Sequence, residues 1–137
     1  MKRILCIDDD QDILDTLNII LATEGYSVRV CTSPATIFQL IQEFNPDLIL
    51  MDINMPNFNG LEICKALKAY LSTENTPVII VSSDERIDQA INDFGADDII
   101  KKPFEIDYLL EKVNQFLLPR VVPLFSAETD EQLEKEG

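Results

Sequence analysis

Polar side chains follow four short apolar runs of this sequence, and the runs themselves are typical of buried strands. In an open parallel sheet flanked by helices, ligands bind outside the carboxyl ends of the strands. Acids, a hydroxyl and an amine that converge at that edge would form a metal-assisted phosphate site. The polar residues are Asp8 and Asp9 after residues 4–7, Asp52 after 48–51, Ser82 after 78–81, and Lys102 shortly after 99–100.

Three carboxylates, those of Asp8, Asp9 and Asp52, would be costly to gather in one pocket without a cation. Two such charges about 4 Å apart repel by roughly 4 kcal/mol at an effective dielectric constant near 20. A small set of hard oxygen ligands with room for water suits Mg²⁺. The ion would also bridge to an incoming phosphoryl group and neutralise part of its charge. We therefore expect Mg²⁺ as the cofactor.

Asp52 is the candidate nucleophile, because a carboxylate can form an aspartyl phosphate. Lys102 supplies a positive charge on a flexible stem, and Ser82 supplies a hydroxyl donor for a phosphate oxygen. Taken singly, a lysine such as Lys102 is more often a surface charge, and a serine at a strand end is more often a turn residue. A run of aspartates is more often part of a solvated loop. Their joint order at the ends of different strands favours the phosphate site. Asp10 is expected to cap the first helix instead.

The charge and the residue types exclude several classes of function. The chain has 25 acidic and 11 basic residues and a net charge of −14, which argues against nucleic acid as a direct partner and favours basic or cationic partners. It contains no histidine, which excludes Ser-His-Asp and Cys-His catalysis and histidine-based zinc sites. If phosphoryl groups arrive from a phosphohistidine, that histidine must belong to another protein.

The cysteines and the amino terminus indicate a cytoplasmic protein. Cys6, Cys31 and Cys64 are odd in number and lack zinc-ligand spacing, so reduced thiols in the cytosol are the best account. The start of the chain has no secretory signal pattern, because its apolar run is only four residues long. No stretch approaches the roughly 18 apolar residues of a membrane helix, and we expect no membrane insertion.

Strand and helix patterns alternate from residue 3 to about 118, which predicts an α/β fold. We expect a doubly wound, flavodoxin-like sheet of five parallel strands in the order 2-1-3-4-5, with helices on both faces. Residues 1–118 would form one domain, and the acidic residues 119–137 a tail or a linker. The helices are expected at 11–24, from Ser33-Pro34 through Phe44, after the loop 55–60 with Leu71 facing inward, at 85–94, and after 103–104.

The ordered set of strand-end residues closely resembles the receiver domains of two-component response regulators, the CheY-like family. The resemblance covers residues 2 to about 118. The motifs that carry it are Ile4-Leu5-Cys6-Ile7-Asp8-Asp9-Asp10, Leu50-Met51-Asp52-Ile53-Asn54-Met55-Pro56 with Gly60, Val81-Ser82-Ser83, and Lys102-Pro103-Phe104.

This resemblance implies a role for each matching residue. Asp52 is the phosphorylated aspartate, Asp9 a direct Mg²⁺ ligand, Asp8 a ligand through water, Asn54 the donor of a backbone carbonyl to the metal, Ser82 the switch hydroxyl, and Lys102 the partner of the phosphoryl group. Further implied tuners of phosphoryl lifetime are Asn54 and Asp84, which flank the expected path of attacking water.

The family also implies an activity and partners. A sensor histidine kinase or a histidine phosphotransfer protein would donate the phosphoryl group, and hydrolysis would return the aspartate. Beyond this self-phosphorylation and autodephosphorylation, no enzymatic activity is expected. The surface of helix four, strand five and helix five would shift and change the binding of a downstream effector protein. One position departs from the family: Ile99 stands three residues before the lysine, where an aromatic residue is usual.

Three other functions are alternatives to a phosphorylated receiver domain. A haloacid dehalogenase phosphatase needs the Asp-x-Asp of residues 8–10, but here Gln11-Asp12 replaces the threonine and glycine that should follow. A flavodoxin-like cofactor site is disfavoured because residues 8–12 have no glycine or hydroxyl to cradle a phosphate. A receiver-like docking module that works without phosphorylation is the alternative; partner binding that is insensitive to Asp52→Asn would support it.

Overall fold

In the computed structural model, which describes residues 1–119, five strands form one parallel sheet. Their order is β2-β1-β3-β4-β5, so the predicted order and the doubly wound α/β class are confirmed. A separate two-residue hairpin pairs Asn54–Met55 with Phe58–Asn59. The sheet strands are β1 (Arg3–Ile7), β2 (Ser27–Cys31), β3 (Leu48–Met51), β4 (Val78–Ser82) and β5 (Asp98–Lys101).

The helices connect successive strands, and local signals in the sequence set several of their ends. The side chain of Asp10 accepts a hydrogen bond from the main-chain N–H of Asp12, which caps the first helix as predicted. Gly25 follows that helix at a φ of 95°, a conformation that glycine adopts without strain. The helices are α1 (Gln11–Thr23), α2 (Ile37–Phe44), α3 (Gly60–Ala69), α4 (Ala90–Phe94), which continues a 3-10 segment at Glu85–Gln89, and α5 (Ile106–Leu117).

Both faces of the sheet are covered, which explains why the three central strands β1, β3 and β4 are almost entirely apolar. On one face α1 and α5 pack against the sheet through residues such as Leu14 and Leu109. On the other face α2, α3 and α4 pack through residues such as Ile41, Leu67 and Ala90. All residues of β3 and β4 are buried. The polar residues begin at the edge of the sheet where the strands end.

Two expectations about the helices were wrong. Helix two begins at Ile37, because the side chain of Ser33 accepts from the main chain of Ala35 and the N–H of Ile37 donates to the carbonyl of Pro34, which makes residues 33–36 a turn. Leu71 was expected to face inward but is 87% exposed. The cause is that α3 ends at Ala69, so Leu71 lies beyond the helix and is not on its buried face.

The predicted tail at residues 119–137 lies, except for its first residue, outside the described residues, and the proposed domain boundary stays a prediction. Within residues 1–119, no helix combines the length and the apolar character that crossing a membrane requires.

Candidate functional site

The carboxyl ends of β1 and β3 bring the predicted acidic residues together. Asp8 and Asp9 follow β1, and Asp52 follows β3, the strand that pairs directly with β1. Carboxylate oxygens from the three side chains all lie within 4.8 Å of one another. Asp8 and Asp52 are buried and Asp9 is exposed, so the cluster opens to solvent on one side. Three carboxylates this close form a strongly negative pocket.

Lys102, from the loop after β5, reaches across two strand ends into this pocket. Its Nζ atom donates to Oδ2 of Asp8 at 2.8 Å and to Oδ2 of Asp52 at 3.1 Å. The peptide bond between Lys102 and Pro103 is cis. With one ammonium among three carboxylates, the cluster retains two negative charges when all four groups are ionised.

Burial and charge shift the pKa values of two of these groups. Burial raises the pKa of Asp8 above its ordinary value, and the charge of Asp52 adds to the rise, against the hydrogen bonds from Lys102 and from the main chain of Asp10. Burial lowers the pKa of Lys102, but its hydrogen bonds to the two carboxylates and their charges outweigh this, and its pKa lies above the ordinary lysine value. Both shifts reflect a crowded, desolvated acid pocket that holds one cation.

The main chain fixes the orientation of Asp52. Its N–H donates to the carbonyl of Ile7 at 3.0 Å, and its Oδ1 accepts from the N–H of Ile53 at 2.7 Å. Oδ2 is therefore the oxygen that faces Lys102. Gly60 packs against the main chain of Asp52 and Ile53. Its N–H donates to the carbonyl of Ile53 at 2.7 Å, and a Cβ atom at residue 60 would collide with the carbonyl of Asp52. The sequence placed Gly60 in a motif but did not predict this contact.

Ser82 is the last residue of β4 and is buried. Its Oγ accepts a hydrogen bond from the N–H of Asp84 at 3.2 Å, and its carbonyl accepts from the N–H of Lys102 at 3.0 Å. The structure thus places the predicted hydroxyl at the strand end next to the acid pocket and ties its main chain to that of the predicted lysine.

A second group of side chains joins the loop after β3 to the loop after β4. Arg86 donates from Nη2 to Asn54 at 2.7 Å and to Asp84 at 2.8 Å, and the amide of Asn54 donates to Asp84 at 2.7 Å. These hydrogen bonds, those from Arg86 first, hold the pKa of Asp84 well below its usual range. We call Asn54, Asp84 and Arg86 the clasp. Sequence reasoning singled out the first two and missed Arg86, whose position in the charged 3-10 segment at Glu85–Gln89 carries no distinguishing signal.

The donor set fits a divalent cation. Asp8, Asp9 and Asp52 offer hard oxygen ligands from three side chains within 4.8 Å, and the exposed side of the cluster leaves room for water. The main chain of Asn54 lies two residues from Asp52, where the resemblance expects a carbonyl ligand. The roles of these residues in metal binding stay predictions.

A doubly wound five-stranded sheet with an acidic pocket and a lysine at its carboxyl edge defines the structural class of this protein. Residues 4–114 match the model of the response regulator receiver domain. The chain therefore belongs to the response regulator receiver family of two-component systems. The resemblance stated from the sequence is confirmed.

Relatives with longer chains support this membership. Response regulator MprA from Mycobacterium leprae is 30% identical over 129 residues, which cover 93% of this chain and 55% of that protein. MprA from Mycolicibacterium vanbaalenii is 32% identical over 123 residues, which cover 88% of this chain and 52% of that protein. The chain thus spans about half the length of the curated relatives it matches.

Solved structures show the same fold. The CheY-like receiver domain protein from Methanospirillum hungatei has a TM-score of 0.75 at 32% identity, with 100% of this chain and 99% of that chain covered. Response regulator TrrA from Thermotoga maritima, solved in complex with Mg(2+)-BeF, has a TM-score of 0.77 at 29% identity, with 85% of this chain and 100% of that chain covered. The flavodoxin-like topology predicted from the sequence is therefore confirmed.

Proposed function

We propose that Asp52 is the phosphoacceptor of this receiver domain and that the donor is the phosphohistidine of a sensor kinase or a histidine phosphotransfer protein. The observation that carries the proposal is the pair of hydrogen bonds from Lys102 to Asp8 and Asp52, which places a cation at the outward oxygen of a buried aspartate. None of the 137 residues is a histidine, so the donor histidine lies outside this sequence.

In the transfer step, Oδ2 of Asp52 attacks the phosphorus, and the bond from phosphorus to the imidazole nitrogen of the donor breaks. The bonding electron pair stays on the imidazole nitrogen, which takes a proton from water, so that the neutral histidine leaves. Lys102, already at Oδ2, stabilises the negative charge on the phosphoryl oxygens. Later attack by water on phosphorus releases inorganic phosphate and restores the carboxylate.

The proposed cofactor is Mg²⁺, which Asp9, Asp52 and the backbone carbonyl of Asn54 would hold directly and Asp8 would hold through water. The three carboxylates and one ammonium leave two negative charges, which a divalent cation balances. When bound, the ion supplies positive charge to both the acceptor oxygen and the phosphoryl oxygens. TrrA from Thermotoga maritima, whose structure contains Mg(2+)-BeF, supports this choice of metal.

The proposed output is a change at the surface of α4, β5 and α5 that alters the binding of an effector protein. Ser82 supports this because its carbonyl accepts from the N–H of Lys102, so β4 and the loop after β5 are joined directly beside the phosphoacceptor. A hydroxyl that turns toward the phosphoryl group would move this strand end. Ile99, half-buried on β5, lies where an aromatic residue usually takes part in this movement.

The experiment is the incubation of the protein with Mg²⁺ and acetyl phosphate, followed by measurement of the intact mass. We expect a gain of one phosphoryl group in the parent and none in Asp52→Asn or after addition of EDTA. Asp47→Asn is the matched control, because Asp47 accepts a hydrogen bond from Arg3 at the opposite edge of the sheet and should leave labelling intact. No gain in the parent would contradict the proposal and favour a docking module that works without phosphorylation.

A further inference from the structure

Arg86 connects two loops that border the acid pocket. It donates through Nε to Oδ1 of Asp84 at 3.0 Å and through Nη2 to both Oδ2 of Asp84 and Oδ1 of Asn54. Asn54 completes the clasp by donating its own amide to Oδ2 of Asp84. Each of the three side chains is thus bonded to the other two. Such a closed set fixes all three orientations, and a planar guanidinium is the group that can supply two parallel hydrogen bonds to a carboxylate.

The clasp lies close to the groups that act on the phosphoryl oxygens. Asp84 donates its N–H to Oγ of Ser82, and Asp84 and Lys102 line the same surface hollow. Asn54 stands two residues after Asp52. A change at Arg86 therefore reaches the pocket through Asp84 on one loop and Asn54 on the other.

The charge of the clasp matters because the pocket is already negative. Paired with Arg86, the carboxylate of Asp84 adds no net charge beside the hollow. Without Arg86, it would add a further unpaired negative charge beside the hollow that Lys102, the partner of Asp52, also lines. Charges of one sign at a cleft change the local concentration of charged substrates and the rate at which they enter, and salt weakens this effect.

We propose that Arg86 is a positioning residue that works through Asp84: it neutralises and orients the Asp84 carboxylate so that small anionic phosphodonors reach Asp52. The inference rests on the proposed function, since it assumes that Asp52 accepts phosphoryl groups. The proposed role of Arg86 lies beyond the roles of the strand-end acids, the Ser82 hydroxyl and Lys102.

The test compares the initial rates of labelling by acetyl phosphate, with saturating Mg²⁺ and low salt, in the parent and in Arg86→Gln, Asp84→Asn and the double variant. We expect Arg86→Gln to lower the rate roughly threefold to tenfold. Arg86→Lys, which keeps the charge but not the planar fork, should recover part of the rate. The double variant should match Asp84→Asn alone, because Arg86 then has no carboxylate to neutralise, and its remaining hydrogen bond to Asn54 carries no charge effect.

Two further measurements separate positioning from a general effect on the fold. The defect of Arg86→Gln should shrink as salt is raised, since screening removes the effect of the unpaired carboxylate. In the protein without Mg²⁺ or donor, the Nε–H signal of Arg86 in an NMR spectrum should be protected from exchange with water and should lose that protection in Asp84→Asn. Lys112→Gln, which removes a lysine from its ion pair with Asp98, is the control and should label at the parent rate.

An Arg86→Gln rate equal to that of the parent, or a further loss when Arg86→Gln is added to Asp84→Asn, would overturn the inference. Either result requires a parent that is labelled, so both are distinct from failure of the proposed function, in which the parent gains no phosphoryl group at all.

Discussion

Gly60 lies against the main chain of Asp52 so closely that a Cβ atom at residue 60 would stand 1.8 Å from the Asp52 carbonyl oxygen. The next nearest atoms are also main-chain atoms, at 2.8 and 3.0 Å, and cannot move aside as a flexible side chain would. The first residue of α3 is therefore packed onto the segment that orients Asp52, the proposed phosphoacceptor. Any side chain at residue 60 would therefore have to displace main-chain atoms of Asp52 and Ile53.

We expect Gly60→Ala to displace the main chain at Asp52 and Ile53 and to lower both stability and labelling by acetyl phosphate. Overpacking of this kind costs about 1–3 kcal/mol of unfolding free energy, which urea denaturation would measure. Gly25→Ala is the control: Gly25 has a φ of +95°, and a Cβ atom added there would meet no atom within 4 Å, so alanine costs about 1–2 kcal/mol through backbone strain alone. Equal labelling in the two variants at similar stability would show that the Gly60 contact does not serve the site.

The pKa of Asp8 predicts that this residue destabilises the protein near neutral pH when Mg²⁺ is absent. Because burial raises its pKa, the native state keeps a proton on Asp8 at pH values where the unfolded chain has lost it. Stability therefore falls as the pH rises from about 4, the ordinary aspartate range, through the raised value. Asn at this position stays neutral, and its side-chain oxygen can still accept from Lys102.

We expect Asp8→Asn in EDTA to have a Tm roughly 2–6 °C above that of the parent at pH 7, with the difference closing as the pH approaches about 4. Thermal unfolding over this pH range is the measurement. Asp47→Asn, away from the pocket, should show no such pH-dependent gain. A difference between Asp8→Asn and the parent that is constant with pH would mean that the carboxylate of Asp8 is not the cause.

The strand-end residues were predictable because their positions follow from the alternation of strands and helices. Once the apolar runs are assigned to parallel strands, Asp8, Asp52 and Ser82 must all lie at the carboxyl edge of the sheet. Arg86 was not predictable on these grounds, since its partner Asn54 lies 32 residues away and meets it only where the short hairpin after β3 approaches the 3-10 segment after β4. The contact of Gly60 was missed for a similar reason. A glycine at a helix start has many explanations, and only the folded chain shows which main-chain atoms it touches.

The cysteines should differ sharply in their reaction with iodoacetamide. Burial, helped by the charge of Asp8, raises the pKa of the Cys6 thiol to about 12, and burial raises that of Cys64 to about 11. The reactive thiolate is therefore scarce at both near neutral pH, and both side chains are fully buried. Cys31 is only partly buried, and its thiol donates to the carbonyl of Ser33.

We expect iodoacetamide near neutral pH to modify Cys31 first, with Cys6 and Cys64 reacting only when the protein unfolds. Peptide mapping by mass spectrometry would assign the modified residue, and Cys31→Ser should abolish the fast phase. Modification of Cys6 at a rate similar to that of Cys31 in the folded protein would contradict the buried position of β1.

Lys102 should control both the stability of the protein in EDTA and the affinity of the acid pocket for cations. Its side chain is 16% exposed, and its ammonium group pairs with the carboxylates of Asp8 and Asp52. Lys102→Met preserves an unbranched apolar stem but leaves these carboxylates without their cation. In EDTA we expect a loss of about 1–3 kcal/mol of unfolding free energy, since the partners remain partly desolvated and unpaired.

Addition of Mg²⁺ should restore more stability to Lys102→Met than it adds to the parent. An ion that binds only the native state stabilises it in proportion to its affinity, and the pocket without Lys102 carries one more uncompensated negative charge. Urea denaturation with and without MgCl₂ gives the two shifts for each protein. Lys112→Met, which breaks the pair with Asp98 outside the pocket, should show the same Mg²⁺ shift as the parent. An equal shift in Lys102→Met and the parent would mean that Mg²⁺ binds away from the Lys102 carboxylates.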